Sequence, residues 1–221
     1  MKKRIRIAIV AAATLFCLAP LAFGQSSPSP PEVISVTDPY YPYLRILDGF
    51  VVLEVSIDAK GEVRKIRVLR DPGSMVPVAI SSVRTWKFKP PGGAAGSRPS
   101  KMTIVFCYRP PVTSPMLQRF NPVLPDEEPD RSDYSPAGIV SVAYPGYPVN
   151  SIRWGSVVLQ MTVDKTGKAE EIRALQDLVP FTQFAVSVLK EWQFKAARYR
   201  GQPVESKVAV AFVFQTITGT P

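Results

Sequence analysis

The chain has 221 residues, of which 46% are hydrophobic and 20% charged, with a formal net charge of +9. That is enough apolar material for a sizeable core in one or two domains, and it excludes wholesale disorder. There is no histidine and there are two cysteines, which excludes Ser-His-Asp and Cys-His nucleophile systems, histidine or thiolate metal sites and a disulfide framework. A binding or structural module with no cofactor or metal fits better than an enzyme.

The N-terminus reads as a targeting segment. Lys2, Lys3, Arg4 and Arg6 precede an apolar run, Ile7 to Phe23, that Pro20 interrupts. Ala22-Phe23-Gly24 then places small residues at −3 and −1 of a cleavage site, so residues 1–24 are expected to leave as a signal peptide. The alternative is a retained inner-membrane anchor through residues 7–23, since a spanning helix takes roughly 17–25 residues. Residues 25–221 carry 23 basic and 18 acidic side chains, a net of +5. An exported chain of this charge is not expected to bind nucleic acid. The basic stretch Arg64, Lys65, Arg67 and Arg70 reads as the solvated face of one strand. Cys107 is the sole cysteine after residue 24. Residues 25–32 form a short Pro/Ser-rich segment.

Shifted by 106 residues, the sequence aligns with itself. Tyr41-Pro42 meets Tyr147-Pro148, and Gly49 with Val51-Val52-Leu53 meets Gly155 with Val157-Val158-Leu159. Asp58 and Gly61 meet Asp164 and Gly167. Trp86, Phe88 and Lys89 meet Trp192, Phe194 and Lys195. This is a tandem duplication. The units are residues 33–108 and 139–215, with a tail at 216–221. Residues 109–138 hold seven prolines and Asp126-Glu127-Glu128, the composition of an extended linker. Each copy carries a full core set, so the units are expected to fold independently.

Each unit reads in the same order. From Phe50 to Asp58, Val51, Leu53, Val55 and Ile57 alternate with Val52, Glu54 and Ser56, which predicts a strand with one buried face. Asp58 to Gly61 is a hairpin turn. In the next strand, Glu62 to Arg70, Ile66 and Val68 oppose Lys65 and Arg67. Steps of three and four residues then predict a helix over Phe181–Phe194, with Phe181, Phe184, Ala185, Val188, Leu189 and Trp192 on its apolar face. In the first copy the matching residues are Met75, Val78, Ala79, Ser82, Val83 and Trp86, and Pro77 fits only the first helical turn. A last strand follows, Lys101–Tyr108 and Lys207–Phe214. The fold class is α+β: two small domains, each a three-stranded antiparallel sheet covered by one helix. Trp86, Phe88, Trp192 and Phe194, with Tyr41, Pro42, Tyr147 and Pro148, are the expected structural anchors.

The last strands are the candidate binding elements. Their core phase is Met102, Ile104, Phe106 and Tyr108, and in the second copy Val208, Val210, Phe212 and Phe214. The opposite phase, Lys101, Thr103, Val105 and Cys107 with Lys207, Ala209, Ala211 and Val213, is small and weakly charged. Such edges lack the charge that natural edges use against pairing. Two dispositions stay open: a partner strand or second molecule adds here, or the two units bury these edges against each other or beneath the linker. Asp58 and Asp164, the carboxylates nearest to a catalytic arrangement, sit where Asp serves turn geometry.

Tyr-Pro, Gly-x-Val in a strand, Asp-x-x-Gly at a hairpin, and a basic residue before Trp-x-Phe resemble the TonB C-terminal domain family. The residues are Tyr41-Pro42, Gly49-Phe50-Val51, Asp58–Gly61 and Arg84 with Trp86-Lys87-Phe88, then Tyr147-Pro148, Gly155-Ser156-Val157, Asp164–Gly167 and Lys190 with Trp192-Gln193-Phe194. The resemblance implies a periplasmic domain that pairs an extended peptide of an outer-membrane transporter onto its sheet edge, so that inner-membrane energy is transmitted. Here the spacer from Gln25 to Asp38 is 14 residues, at most about 50 Å extended, and the N-terminal run looks cleavable. These features favour a soluble periplasmic tandem binder of an envelope-protein peptide over a membrane-anchored energy transducer. The exported protein is expected to begin at Gln25. An intact mass that retains Met1 would instead establish the anchored form.

Overall fold

The computed structural model describes residues 29–39, 49–70, 73–90, 92, 100–109, 119–120, 133–145 and 153–214. The targeting segment, Tyr41-Pro42, Tyr147-Pro148, most of the linker and the tail lie outside these residues. The first unit comprises β1 (Glu32–Ser35), β2 (Gly49–Ile57), β3 (Val63–Arg70), α1 (Val76–Thr85), β4 (Lys87–Lys89) and β5 (Ser100–Arg109). Two short strands follow within the expected linker, β6 (Arg119–Phe120) and β7 (Tyr134–Ser135). The second unit comprises β8 (Gly138–Ala143), β9 (Gly155–Val163), β10 (Ala169–Gln176), α2 (Phe181–Leu189), β11 (Gln193–Lys195), β12 (Ala197–Tyr199), β13 (Gln202–Val204) and β14 (Ser206–Phe214). The class is α+β, and no helix among the described residues is long and apolar enough to cross a membrane.

The helices are shorter than the periodicity predicts. α2 ends at Leu189, and Trp192 follows in a turn whose N–H donates to the Leu189 carbonyl at 3.2 Å. Phe88 and Phe194 are the centres of β4 and β11, which pair with β1 and β8. Phe184, expected on the buried face, is 44% exposed, whereas Phe181, Ala185 and Leu189 are fully buried. Pro77 does occupy the first turn of α1. The hairpin glycines explain why Trp-x-Phe travels with Asp-x-x-Gly. Gly61 (φ +83°) and Gly167 (φ +90°) take a conformation that L side chains rarely adopt, and a Cβ on either would press into the carbonyl of Phe88 or Phe194. The turn and the post-helix strand therefore pack backbone to backbone.

The hairpins and last strands of the two units do not form separate sheets. They merge into one six-stranded sheet, in the order β10-β9-β14-β5-β2-β3. Each unit contributes an antiparallel block, its hairpin and its last strand, and the last strands β5 and β14 join the blocks by parallel pairing. Repeat-equivalent residues are 106 apart, but the seam sets Val208 beside Thr103, Val210 beside Val105 and Phe212 beside Cys107, which are 105 apart. A one-residue offset exchanges the faces of a strand. The core phase of each unit therefore lies on the same face as the opposite phase of the other.

Two clusters fill the two faces. On one, α2 with Trp192 and Phe194 packs over Val157, Leu159, Val210 and Phe212, and the same cluster takes in Phe50, Val52, Val105 and Cys107 of the first unit. On the other, α1 with Trp86 and Phe88 packs over Val51, Leu53, Ile104 and Phe106, and takes in Val158, Ala209, Ala211 and Val213 of the second. β2 and β9 are thus buried on both faces, not on the single face expected from alternation. The small opposite phase has its cause here: it must fit beneath a partner core.

Shared cores argue against independent folding of the units. A fragment of residues 139–221 would expose Val158, Ala209, Ala211 and Val213 and one whole side of β14. It is expected to self-associate or to melt without a cooperative transition, read by sedimentation and circular dichroism. A monomeric fragment with a sharp melt would show that the seam is dispensable.

Candidate functional site: the seam and the outer edges

The strands expected to be open edges are the two central strands of the sheet. Thr103, Val105 and Cys107 lie beside Val208, Val210 and Phe212, and Ala209, Ala211 and Val213 beside Ile104, Phe106 and Tyr108. These six predicted binding residues are at most 1% exposed. The backbone of β5 bonds β2 on its other side and that of β14 bonds β9, so neither strand has a free side. The expectation that they are edges is corrected: burial against each other, the second disposition open from the sequence, is the one the structure adopts.

Lys101 and Lys207, the remaining two of the predicted set, anchor charge clusters flanking the seam. In the first unit, buried Glu54 takes an Arg67 N–H at 3.2 Å and Lys101 at 3.5 Å. The equivalent residue in the second unit is Gln160, which carries no charge. Its Oε1 accepts the Val33 N–H at 2.7 Å, holding β1 of the first unit against β9. The carboxylate for Arg173 and Lys207 then comes from β1 itself: Glu32 lies 3.0 Å from Arg173 and 3.2 Å from Lys207. One unit neutralises its pair of cations internally, and the other borrows an acid across the seam.

Further contacts run in both directions. Tyr144 of the second unit stacks on Phe50 of the first at 4.4 Å, and the Arg109 guanidinium lies 4.2 Å over the Tyr144 ring. The repeat-equivalent pair is polar: Ser156 donates to Asp38, which also accepts from Gln176 at 2.9 Å. Thr103 donates to the Ala137 carbonyl at 2.6 Å. Trp192 donates to the Ala143 carbonyl at 2.8 Å, a structural role that fits its burial.

The hairpin carboxylates are turn residues. Asp58 accepts the Lys60 and Glu62 N–H groups and the Arg64 guanidinium, and the bonds from Glu62 and Lys60 outweigh desolvation in holding its pKa below the usual range. Asp164 is lowered in the same way, first by the Lys168 N–H and then by Thr166. Among the described residues no three or more His, Cys, Asp or Glu gather as a metal set.

Within the six-stranded sheet, the strands with one side unpaired by any described strand are the outer pair, β3 and β10. Sequence reasoning passed over both, because the basic run in β3 reads as an ordinary solvated face. The signal was the order of the strands, which a single unit does not disclose.

The chain is a tandem of small α+β units that pair and cover one another. The family described as the Gram-negative bacterial TonB protein C-terminal matches residues 39–109 and 141–216, and the chain belongs to this family. Domains of the family are envelope-associated, non-enzymatic and engage envelope proteins such as outer-membrane transporters. No curated protein and no solved structure matches the chain.

Glu32 gives the seam a pH dependence. Partial desolvation raises its carboxyl, but Lys207, Arg173 and Lys89 outweigh this and hold it below its ordinary 4.5. A lowered acid stabilises the fold above its unfolded pKa and loses that contribution as pH falls through the folded value. Glu32→Gln is therefore expected to lower stability at pH 7 by under about 1 kcal/mol, the range of partly exposed pairs, and the deficit should shrink as pH falls below the ordinary 4.5 and through the lowered folded value. Denaturant melts across pH test this; a deficit independent of pH would assign the effect to packing.

Proposed function

We propose that the protein is a non-catalytic periplasmic adaptor that captures an extended segment of an envelope protein by adding it as a seventh strand to its joined sheet. The observation that carries this reading is the outer strand β3, eight residues long and paired, among the described strands, with β2 alone. An outer strand presents unpaired backbone donors and acceptors, and main-chain bonding to them is the general route for recognising extended peptides. Family membership supports the same reading, and the N-terminal signal pattern supports the compartment. The duplication supplies a rigid, doubly covered support for the outer strands and takes the last strands out of use as edges. The units are then one binding body, not two independent binders.

Peptides tiled from envelope proteins and probed with the exported protein provide the test. A peptide that binds by strand addition uses the amides of alternate residues. N-methylation of one alternate set is expected to abolish binding, and methylation of the other set to leave it nearly intact. Equal binding of both methylated forms would exclude strand addition.

A further inference from the structure

Each unit begins with a short strand, and the two strands end differently. β8 runs six residues, Gly138–Ala143, whereas β1 stops at Ser35, the equivalent of Ser141. The difference coincides with β6. This piece of the linker lies antiparallel beside the last two residues of β8, with Phe120 opposite Val142 and Arg119 opposite Ala143. No described strand pairs with the equivalent residues of the first unit, Val36 and Thr37. Exposure follows the pairing: Val142 and Ala143 are buried, Val36 is half-buried and Thr37 is exposed. A third difference lies behind the strands. The Trp192 indole N–H donates to the Ala143 carbonyl at 2.8 Å, but the Trp86 indole N–H, equally buried, has no hydrogen-bond partner. The Thr37 hydroxyl instead meets that of Thr85. A buried donor left unmet is costly, and such groups are rare in folded proteins.

We infer that the end of β1, at Val36–Thr37, is a second docking edge: it takes a short extended segment of a partner protein, a basic residue followed by an aromatic one, in the way that β8 takes β6. The site is separate from β3 and does not depend on strand addition there. The chemistry of the occupant is that of the pair the repeat-equivalent edge already holds, Arg119-Phe120. The two edges match in what lies beneath them. Val36 packs against the core cluster that contains Trp86, and Val142 belongs to the cluster that contains Trp192. Upstream on β1, the Val33 N–H and carbonyl are held by the Gln160 and Arg173 side chains, which confines an added segment to the end of the strand. Such a segment draws Val36 and Thr37 into regular strand. The Thr37 carbonyl then stands where the Ala143 carbonyl stands in the other copy, and the Trp86 N–H gains an acceptor. Main-chain pairing supplies the affinity and the side chains of the segment supply the discrimination.

The test uses the full exported protein and a labelled peptide with the sequence of residues 116–123, which contains Arg119-Phe120. Fluorescence anisotropy is expected to show saturable binding, weakened about tenfold or more when the Arg-Phe pair is replaced by Ala-Ala, the scale of burying one aromatic side chain. With the peptide bound, hydrogen exchange should show new amide protection at Val36–Thr37. The Trp86 indole N–H signal in NMR should shift and exchange more slowly, while that of Trp192 does not move. Thr37→Pro takes one amide from the edge and is expected to abolish binding. Thr37 is exposed, and an unchanged melt would confirm the fold of the variant. No measurable binding, equal affinity for the Ala-Ala peptide, or unchanged affinity in Thr37→Pro would overturn the proposal. Protection confined to Val63–Arg70, with the Trp86 signal unmoved, would overturn this site while supporting β3 as the accepting edge. Sedimentation supplies the last outcome. A dimer that the peptide dissociates would make a second copy the occupant and overturn the assignment to a partner protein.

Discussion

The parallel pairing of β5 with β14 is the constraint from which both cores follow. Two like strands in parallel present the same phase to the same face if they align residue for residue, which would leave both helices competing for one side of the sheet. Offset by one residue, they present opposite phases. α1 and α2 can then each cover one face, and every strand of the central four is enclosed on both sides. Domains of about 76 residues have thin cores. Joining them through their last strands gives each unit a second buried face without adding a layer.

The contacts across the seam show two related positions solving one electrostatic problem differently. Arg67 and Lys101, like Arg173 and Lys207, flank a buried position where an uncompensated charge is costly. In the first unit Glu54 occupies it. In the second, Gln160 does, and Glu32 arrives from the other unit's first strand. The same pattern recurs at Phe50–Tyr144 and Ser156–Asp38, one apolar and one polar version of a single contact. The duplicated halves have become complementary and can no longer replace each other.

Local structure was legible in the sequence wherever one period dominated. The hairpins, the start of α1 at Pro77 and the core phase of each last strand follow from alternation and turn chemistry alone. The helix ends were not, because Trp86 and Trp192 fall at helical spacing even though the chain has already left the helix. Their rings reach the core from a turn. The hairpin β12–β13 was missed although Arg200-Gly201, both at positive φ, is the two-residue turn such hairpins favour; the stretch has no counterpart in the first unit's described residues to mark it. The opposite phase Thr103, Val105, Cys107 and Ala209, Ala211, Val213 was correctly seen as small and uncharged. Its meaning was not, because an edge awaiting a partner and a strand enclosed by its own duplicate select the same residues.

The position of β14 has a consequence for the order of events during synthesis. It is the last described element, and its pairing partner lies 105 residues earlier. Until it emerges, the first unit has its hairpin, its helix and β5, but β5 has no neighbour on one side and Phe50, Val52, Val105 and Cys107 have no cover. Contacts of such long range form late, and an uncovered apolar strand is a hazard in any compartment where chains are crowded. The protein is therefore at its most aggregation-prone when its first half is complete. Truncations near the C-terminus should be far more damaging than the lost length alone suggests.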